Sequence, residues 1–258
     1  MTGTRTAPPH QPLRTGPTVS AATPAGEDLF ALIEANWDSG ADAGALLDAL
    51  AAELRARQMW HELLEVRLTQ ARLAHGLAVD ATTEDAPPDT RRRLEQQYAD
   101  ACEEAGRGLL AARAWRDAWF YLNTAGRPGV MRAALEAIDL DAELNRLPAE
   151  TSGDEPTPHG GPDARSQPDA RSQLVEELIE VALHERAAPA AGYRWMLSHY
   201  GTCNSVTAIE GLGPHLAVED LAECAAVLAE HLHGELLASV AAHVASQESP
   251  GAVADELL

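Results

Sequence analysis

Apolar residues recur at intervals of three and four over most of this chain, the spacing that lines up one face of an α-helix. Residues 28–37 carry Leu29, Ile33 and Trp37, with Gly40 as a stop. Residues 41–57 carry Leu46, Leu47, Leu50 and Leu54, and residues 60–75 carry Leu63, Leu64 and Leu68 up to Gly76. Pro88-Asp89-Thr90 opens a long helix toward Arg113, because proline in the first turn and a capping side chain favour a helix start. Shorter helices are predicted from Trp115 to Thr124, stopped by Gly126, and from Pro128 to Ile138. Leu174, Leu178, Val181 and Ala182 then define one face, and Pro189 opens a helix ending near Tyr200-Gly201. Thr202 or Asn204 is placed to cap a short helix to Leu212. Residues 219–243 read as one long helix, with Leu221, Ala225, Leu228, Leu232, Leu236 and Val240 as its apolar face. No stretch of strand length alternates β-branched or aromatic residues with polar ones, so the expected fold class is all-α.

Composition refines this picture. Hydrophobic residues make up 45 % of the 258, yet only 4 % are aromatic. A core of Ala and Leu is therefore expected, and both lose little side-chain freedom in a helix. Residues 1–26 are rich in Thr, Pro, Ala and Gly and are expected to be a disordered tail. Residues 148–173 contain the hexapeptide PDARSQ twice in succession, at 162–167 and 168–173. They are expected to be a flexible linker between a helical part at 27–147 and a second at 174–258. The last segment, Pro250 to Leu258, opens like a helix and stops, as a docking tail or the end of a fragment would.

Small and large packing residues alternate between Cys102 and Val130. Gly106 and Ala118 would let two antiparallel helices approach closely, and Leu109, Trp115, Leu122 and Ala125 would fill the space around them. This unit of about 29 residues resembles a tetratricopeptide repeat. Residues 29–52 depart from that pattern, with Asp42 where the aromatic should stand and Ile33 where the small residue should. The resemblance implies an irregular helical-repeat (α-solenoid) array of antiparallel helix pairs, and with it a protein-interaction scaffold presenting a groove.

Charge narrows the partners. The formal net charge is −21, which repels nucleic acid and anionic membrane surfaces and favours a basic protein or peptide. Arg91, Arg92 and Arg93 form the only basic run, read as a solvated helix turn. All nineteen basic residues are Arg, so Schiff-base chemistry and a Walker A lysine are excluded. Cys102, Cys203 and Cys224 are odd in number and lack CxxC spacing, which fits a reducing cytoplasm. No apolar stretch is long enough for a transmembrane helix or a signal peptide.

Two kinds of candidate site remain. Trp115, Trp119 and Tyr121, with Phe120 between them, concentrate the scarce aromatics, either as repeat core or as the lining of a partner groove. The alternative is chemical. Six of ten histidines lie at positions 184, 199, 215, 231, 233 and 243. His199, Cys203 and Asn204 supply a base, a thiol and an orienting amide, the residue types of Cys-His nucleophilic catalysis. A helix start at residue 202 would favour thiolate over thiol there. His199 with Cys203, and His231 with Glu235, also have the i, i+4 spacing that puts zinc or another divalent metal's ligands on one helix face. Gly201 interrupts the first pair, and His61-Glu62-Leu63-Leu64-Glu65 lacks the second His of HExxH. The first functional expectation is thus an interaction scaffold with no cofactor, and the second a metal- or thiol-dependent enzyme or sensor.

Overall fold

The computed structural model describes residues 29, 31, 33–35, 42–82, 86–147 and 169–248. The expected tail at 1–26, residues 148–168 of the expected linker and the segment 250–258 lie outside the described residues. Among the described residues every regular element is helical, as the periodicity predicts, and the helices form the irregular helical-repeat array that the resemblance implies. The helices are α1 (Ala43–Ala56), α2 (Trp60–Ala74), α3 (Pro88–Ala111), α4 (Trp115–Thr124), α5 (Pro128–Glu136), α6 (Leu140–Arg146), α7 (Ala170–Ile179), α8 (Pro189–Leu212) and α9 (Val218–Glu248). A π turn, Glu180–His184, continues α7, and a 3-10 turn, Gly213–His215, precedes α9.

The chain forms two compact units, residues 1–50 and 51–258. In the first, the Asp42 carboxylate accepts a hydrogen bond from the Ala45 amide at 2.7 Å and so caps the start of α1. In the second, helices pack on their sequence neighbours: α2 on α3, α3 on α4, α4 on α5, α7 on α8 and α8 on α9.

One turn recurs between these helices. The Met59 amide donates to Leu54 O and Gln58 to Arg55 O; Ala114 donates to Leu109 O and Arg113 to Leu110 O; Arg127 donates to Leu122 O and Gly126 to Asn123 O. This paired bonding closes a helix on a residue in the left-handed region. Gln58, Arg113 and Gly126 occupy it, with φ of 59°, 64° and 69°. Each turn sets the next helix start six residues after a leucine, at Trp60, Trp115 and Pro128. Leu54–Trp60 therefore repeats Leu109–Trp115. The recurrence is one of turn geometry, and it extends to Leu122–Pro128.

Small residues then permit close approach. A Cβ at Gly106 would lie 2.8 Å from Leu122 Cγ on α4, and one at Gly108 would lie 2.4 Å from the Trp60 indole on α2. The main core joins Leu109, Trp115, Ala118, Leu122, Met131 and Leu135 to Val175, Leu178, Val181, Tyr193, Leu197, Cys224 and Val227. Helices on both sides of residues 148–168 thus share one core. Helix α7 begins at Ala170, inside the second PDARSQ copy, because Asp169 caps it through the Ser172 amide at 2.6 Å. Asp139 caps α6 in the same way through Ala142. Neither start was expected from apolar spacing.

The long helix α9 departs most from expectation. Its buried residues are Cys224 and Val227, and Leu228 is partly buried. Of the face predicted to be core, Leu221, Leu232, Leu236 and Val240 are exposed.

Candidate functional site

The aromatic helix α4 sends its side chains in different directions. Trp115 is buried in the main core. Tyr121 turns toward α2, where its Oη lies 2.8 Å from His61 Nδ1. Burial, followed by nearby acidic groups, pushes the Tyr121 phenol above its ordinary pKa. Trp119 is partly buried and, with exposed Phe120, lines an open cleft of about 440 Å³ shared with Arg116, Asn123, Thr124, Glu180 and Glu185. The three aromatics expected to share one groove do not do so. An amphipathic reading could have found Phe120, since Trp115, Trp119 and Leu122 point inward and leave position 120 facing out.

The His199, Cys203 and Asn204 set is not brought together. Gly201, at φ 76° and ψ 170°, interrupts α8 where the sequence predicted a stop. The ring of His199 packs edge-on against Tyr200 at 4.8 Å. Asn204 donates to Tyr200 O at 2.9 Å, which ties it to the backbone rather than to His199. Cys203 is exposed.

The break gathers a different group. Thr202 Oγ1 lies 3.3 Å from His231 Nε2 and donates to Glu235 at 3.3 Å, and His231 Nε2 lies 3.3 Å from Glu235. The expected His231–Glu235 pair therefore forms, joined by the residue that follows the kink. A hydroxyl–imidazole–carboxylate relay needs the carboxylate on the other ring nitrogen. Here hydroxyl and carboxylate meet the same Nε2, so the arrangement fastens α9 to the second half of α8. Among the described residues, no three His, Cys, Asp or Glu side chains converge in a way that could hold a metal ion.

The buried thiols are held protonated. Desolvation, with Asp220 and Glu223 adding to it, pushes Cys224 up to about 11. Burial also raises Cys102, against a weaker opposing hydrogen bond from Tyr98.

A second open cleft, of about 430 Å³, lies among α5, α8 and α9. Ala190, Ala191, Ala226 and Val227 give it an apolar lining, to which Glu136, Glu223 and Glu230 add three carboxylates and Arg194 one guanidinium. Beside it Arg132 donates to Asp220 at 2.7 Å and reaches Glu223 at 3.8 Å, bracing α5 against α9. The Asp220 hydrogen bond raises the Arg132 pKa above its ordinary value. An apolar lining with an excess of carboxylates accommodates an apolar side chain flanked by cationic ones. Sequence periodicity could not reveal the cleft, because Glu136 lies 87 positions before Glu223, although Glu223 and Glu230 are seven apart on α9.

Among the described residues, no helix is long and apolar enough to cross a membrane. No family model, curated protein or solved structure matches the chain, so its fold rests on the pairwise helix packing described above.

Proposed function

We propose that this chain is a protein-interaction scaffold that takes a basic, amphipathic peptide segment into the acidic cleft among α5, α8 and α9. The observation that carries the reading is the cleft itself, which Glu136, Glu223 and Glu230 line together with Ala191, Val227 and Arg194. The all-helical array of neighbouring pairs supports it, since such arrays offer extended surfaces between helices. The net charge of −21 adds long-range attraction for a cationic partner and speeds encounter. A reducing cytoplasm suits a chain with three free cysteines.

The test uses a fluorescein-labelled peptide alternating Arg and Leu, titrated with the full chain and followed by anisotropy. Saturable binding is expected, weakening with added salt and falling about tenfold or more in Glu223→Gln/Glu230→Gln, a loss of two charge-assisted contacts. Equal binding of the counterpart with Glu in place of Arg would overturn the proposal.

A further inference from the structure

The connections after α1, α3 and α4 span residues 57–59, 112–114 and 125–127, and each returns the next helix at once. The connection after α2 is longer and spans residues 75–87. The α2–α3 pair is closest at its other end, where Gly108 meets the Trp60 indole. Beside the long connection the two helices enclose a cavity of about 270 Å³. Leu68 and Ala71 of α2, Leu94 of α3, and Leu77 and Ala81 of the connection are its apolar walls. Ala71 and Leu94 are buried with Ala86 in a small core of their own, apart from the main one.

The polar groups of the cavity have both signs. Arg72 lines it from α2 and Glu95 from α3. Among the described residues neither side chain makes a hydrogen bond or an ion pair, with the other or with anything else. Arginines elsewhere tie helices together: Arg55 and Arg67 pair with Glu104, Arg127 with Glu103 and Arg132 with Asp220. An arginine left unpaired at an apolar cavity is notable in a chain with 40 acidic residues to 19 basic ones. Tyr98, also at the cavity, already gives its hydroxyl to the Cys102 thiol.

These features select an occupant. One free charge of each sign beside apolar walls matches a molecule that carries both charges and a short apolar tail. A plain carboxylate would meet Glu95, and a plain amine would meet Arg72. The volume falls just below the range of about 300–1,000 Å³ that holds drug-sized ligands, which limits the tail to a few carbons. We infer that this cavity binds a free α-amino acid with an aliphatic side chain. Its carboxylate pairs with Arg72, its ammonium with Glu95, and its side chain lies among Leu68, Ala71, Leu77 and Leu94. The site is separate from the acidic cleft and does not depend on the scaffold reading.

Isothermal titration calorimetry of the full chain with L-leucine should give a dissociation constant on the order of 0.1–1 mM, as suits a ligand of so few atoms. Isocaproate lacks the ammonium and isoamylamine lacks the carboxylate. Each should bind at least about tenfold more weakly, having lost one charge-assisted contact. Arg72→Gln and Glu95→Gln should each weaken L-leucine by a similar factor. Ala81→Leu puts a larger side chain into the cavity from the connection, and should abolish binding with unchanged helix content by circular dichroism. A zwitterion has no net charge for the acidic chain to attract, so added salt should leave its affinity within about threefold. Salt should release the basic peptide, so the two readings succeed or fail separately. No heat up to about 10 mM L-leucine, tenfold above the weakest expected affinity, overturns the inference. So does equal affinity for isocaproate, or binding that neither Ala81→Leu nor Arg72→Gln alters. Tighter binding of ε-aminocaproate, whose charges stand far apart, overturns the assignment to an α-amino acid.

Discussion

In the α3–α4 hairpin, Leu109, Ala118 and Leu122 lie on helix faces closed by neighbours, and Leu122 is completely buried. In α9, Leu232, Leu236, Val240 and Val244 are spaced just as regularly and stay exposed. Both regions are helical because both have the right period, so periodicity does not separate them. What separates them is supply of a covering surface. The turn through Ala112, Arg113 and Ala114 lays α4 back on α3 at once, and Gly106 lets Leu122 approach. Helix α9 is 31 residues long and its partner α8 covers only the stretch around Cys224, Val227 and Leu228. A helix of that length must find a second surface or leave apolar residues in water.

The sharpest break of this comparison is a matched pair of truncations. Leu122→Ala should lower the unfolding free energy by about 2–5 kcal/mol, since it leaves a cavity in a closed site. Leu236→Ala in dilute protein should change it by less than about 0.5 kcal/mol, as surface substitutions do. Urea denaturation of both variants decides, and equal losses would erase the distinction.

Glycine substitutions sharpen it further. Gly108→Ala should destabilise by about 1–3 kcal/mol, because the added methyl overpacks the Trp60 indole. Gly234→Ala in α9 meets nothing within 4 Å and should stabilise by up to about 1 kcal/mol, the usual gain from removing glycine from a helix interior. Thermal melts should therefore move in opposite directions.

A smaller effect is expected where charge ties the early helices together. Glu104 on α3 accepts from Arg67 on α2 at 2.9 Å and also pairs with Arg55 on α1. Burial acts to raise its carboxyl, but the Arg67 and Arg55 hydrogen bonds together outweigh it and hold the pKa below the usual carboxylate range. A depressed carboxylate pKa contributes stability above its unfolded value and loses it as pH falls through the folded one. Glu104→Gln should cost about 1 kcal/mol at neutral pH, as a partly exposed ion pair does, and should flatten the acid side of the stability profile. An unchanged acid limb would show that the pair contributes nothing.

How far the sequence could be read depends on the region. Pro88, Pro128 and Pro189 marked helix starts within the chain because proline acts locally, through a fixed φ and a missing amide. Gly126 and Gly201 marked breaks for an equally local reason, their positive φ. Gln58 and Arg113 take the same left-handed conformation without a glycine to mark it. Candidate chemistry was legible only as residue types. His231 and Glu235 share one helix, so their pairing followed from spacing, whereas Thr202 joined them through the fold. Glu223 and Glu230 share one face of α9, and only the fold brings Glu136 to the same cleft.

By itself the sequence determined that this protein is all-α and where the helices at Pro88, Trp115, Pro128 and Pro189 begin. Helix formation and helix starts depend on interactions within a few residues of each other. Only the tertiary structure decided which apolar face of α9 is covered, that helices on both sides of residues 148–168 share a core, and which carboxylates meet around one cleft. Those outcomes depend on what lies opposite a surface once the chain has folded, and a periodic pattern specifies a face without specifying its neighbour.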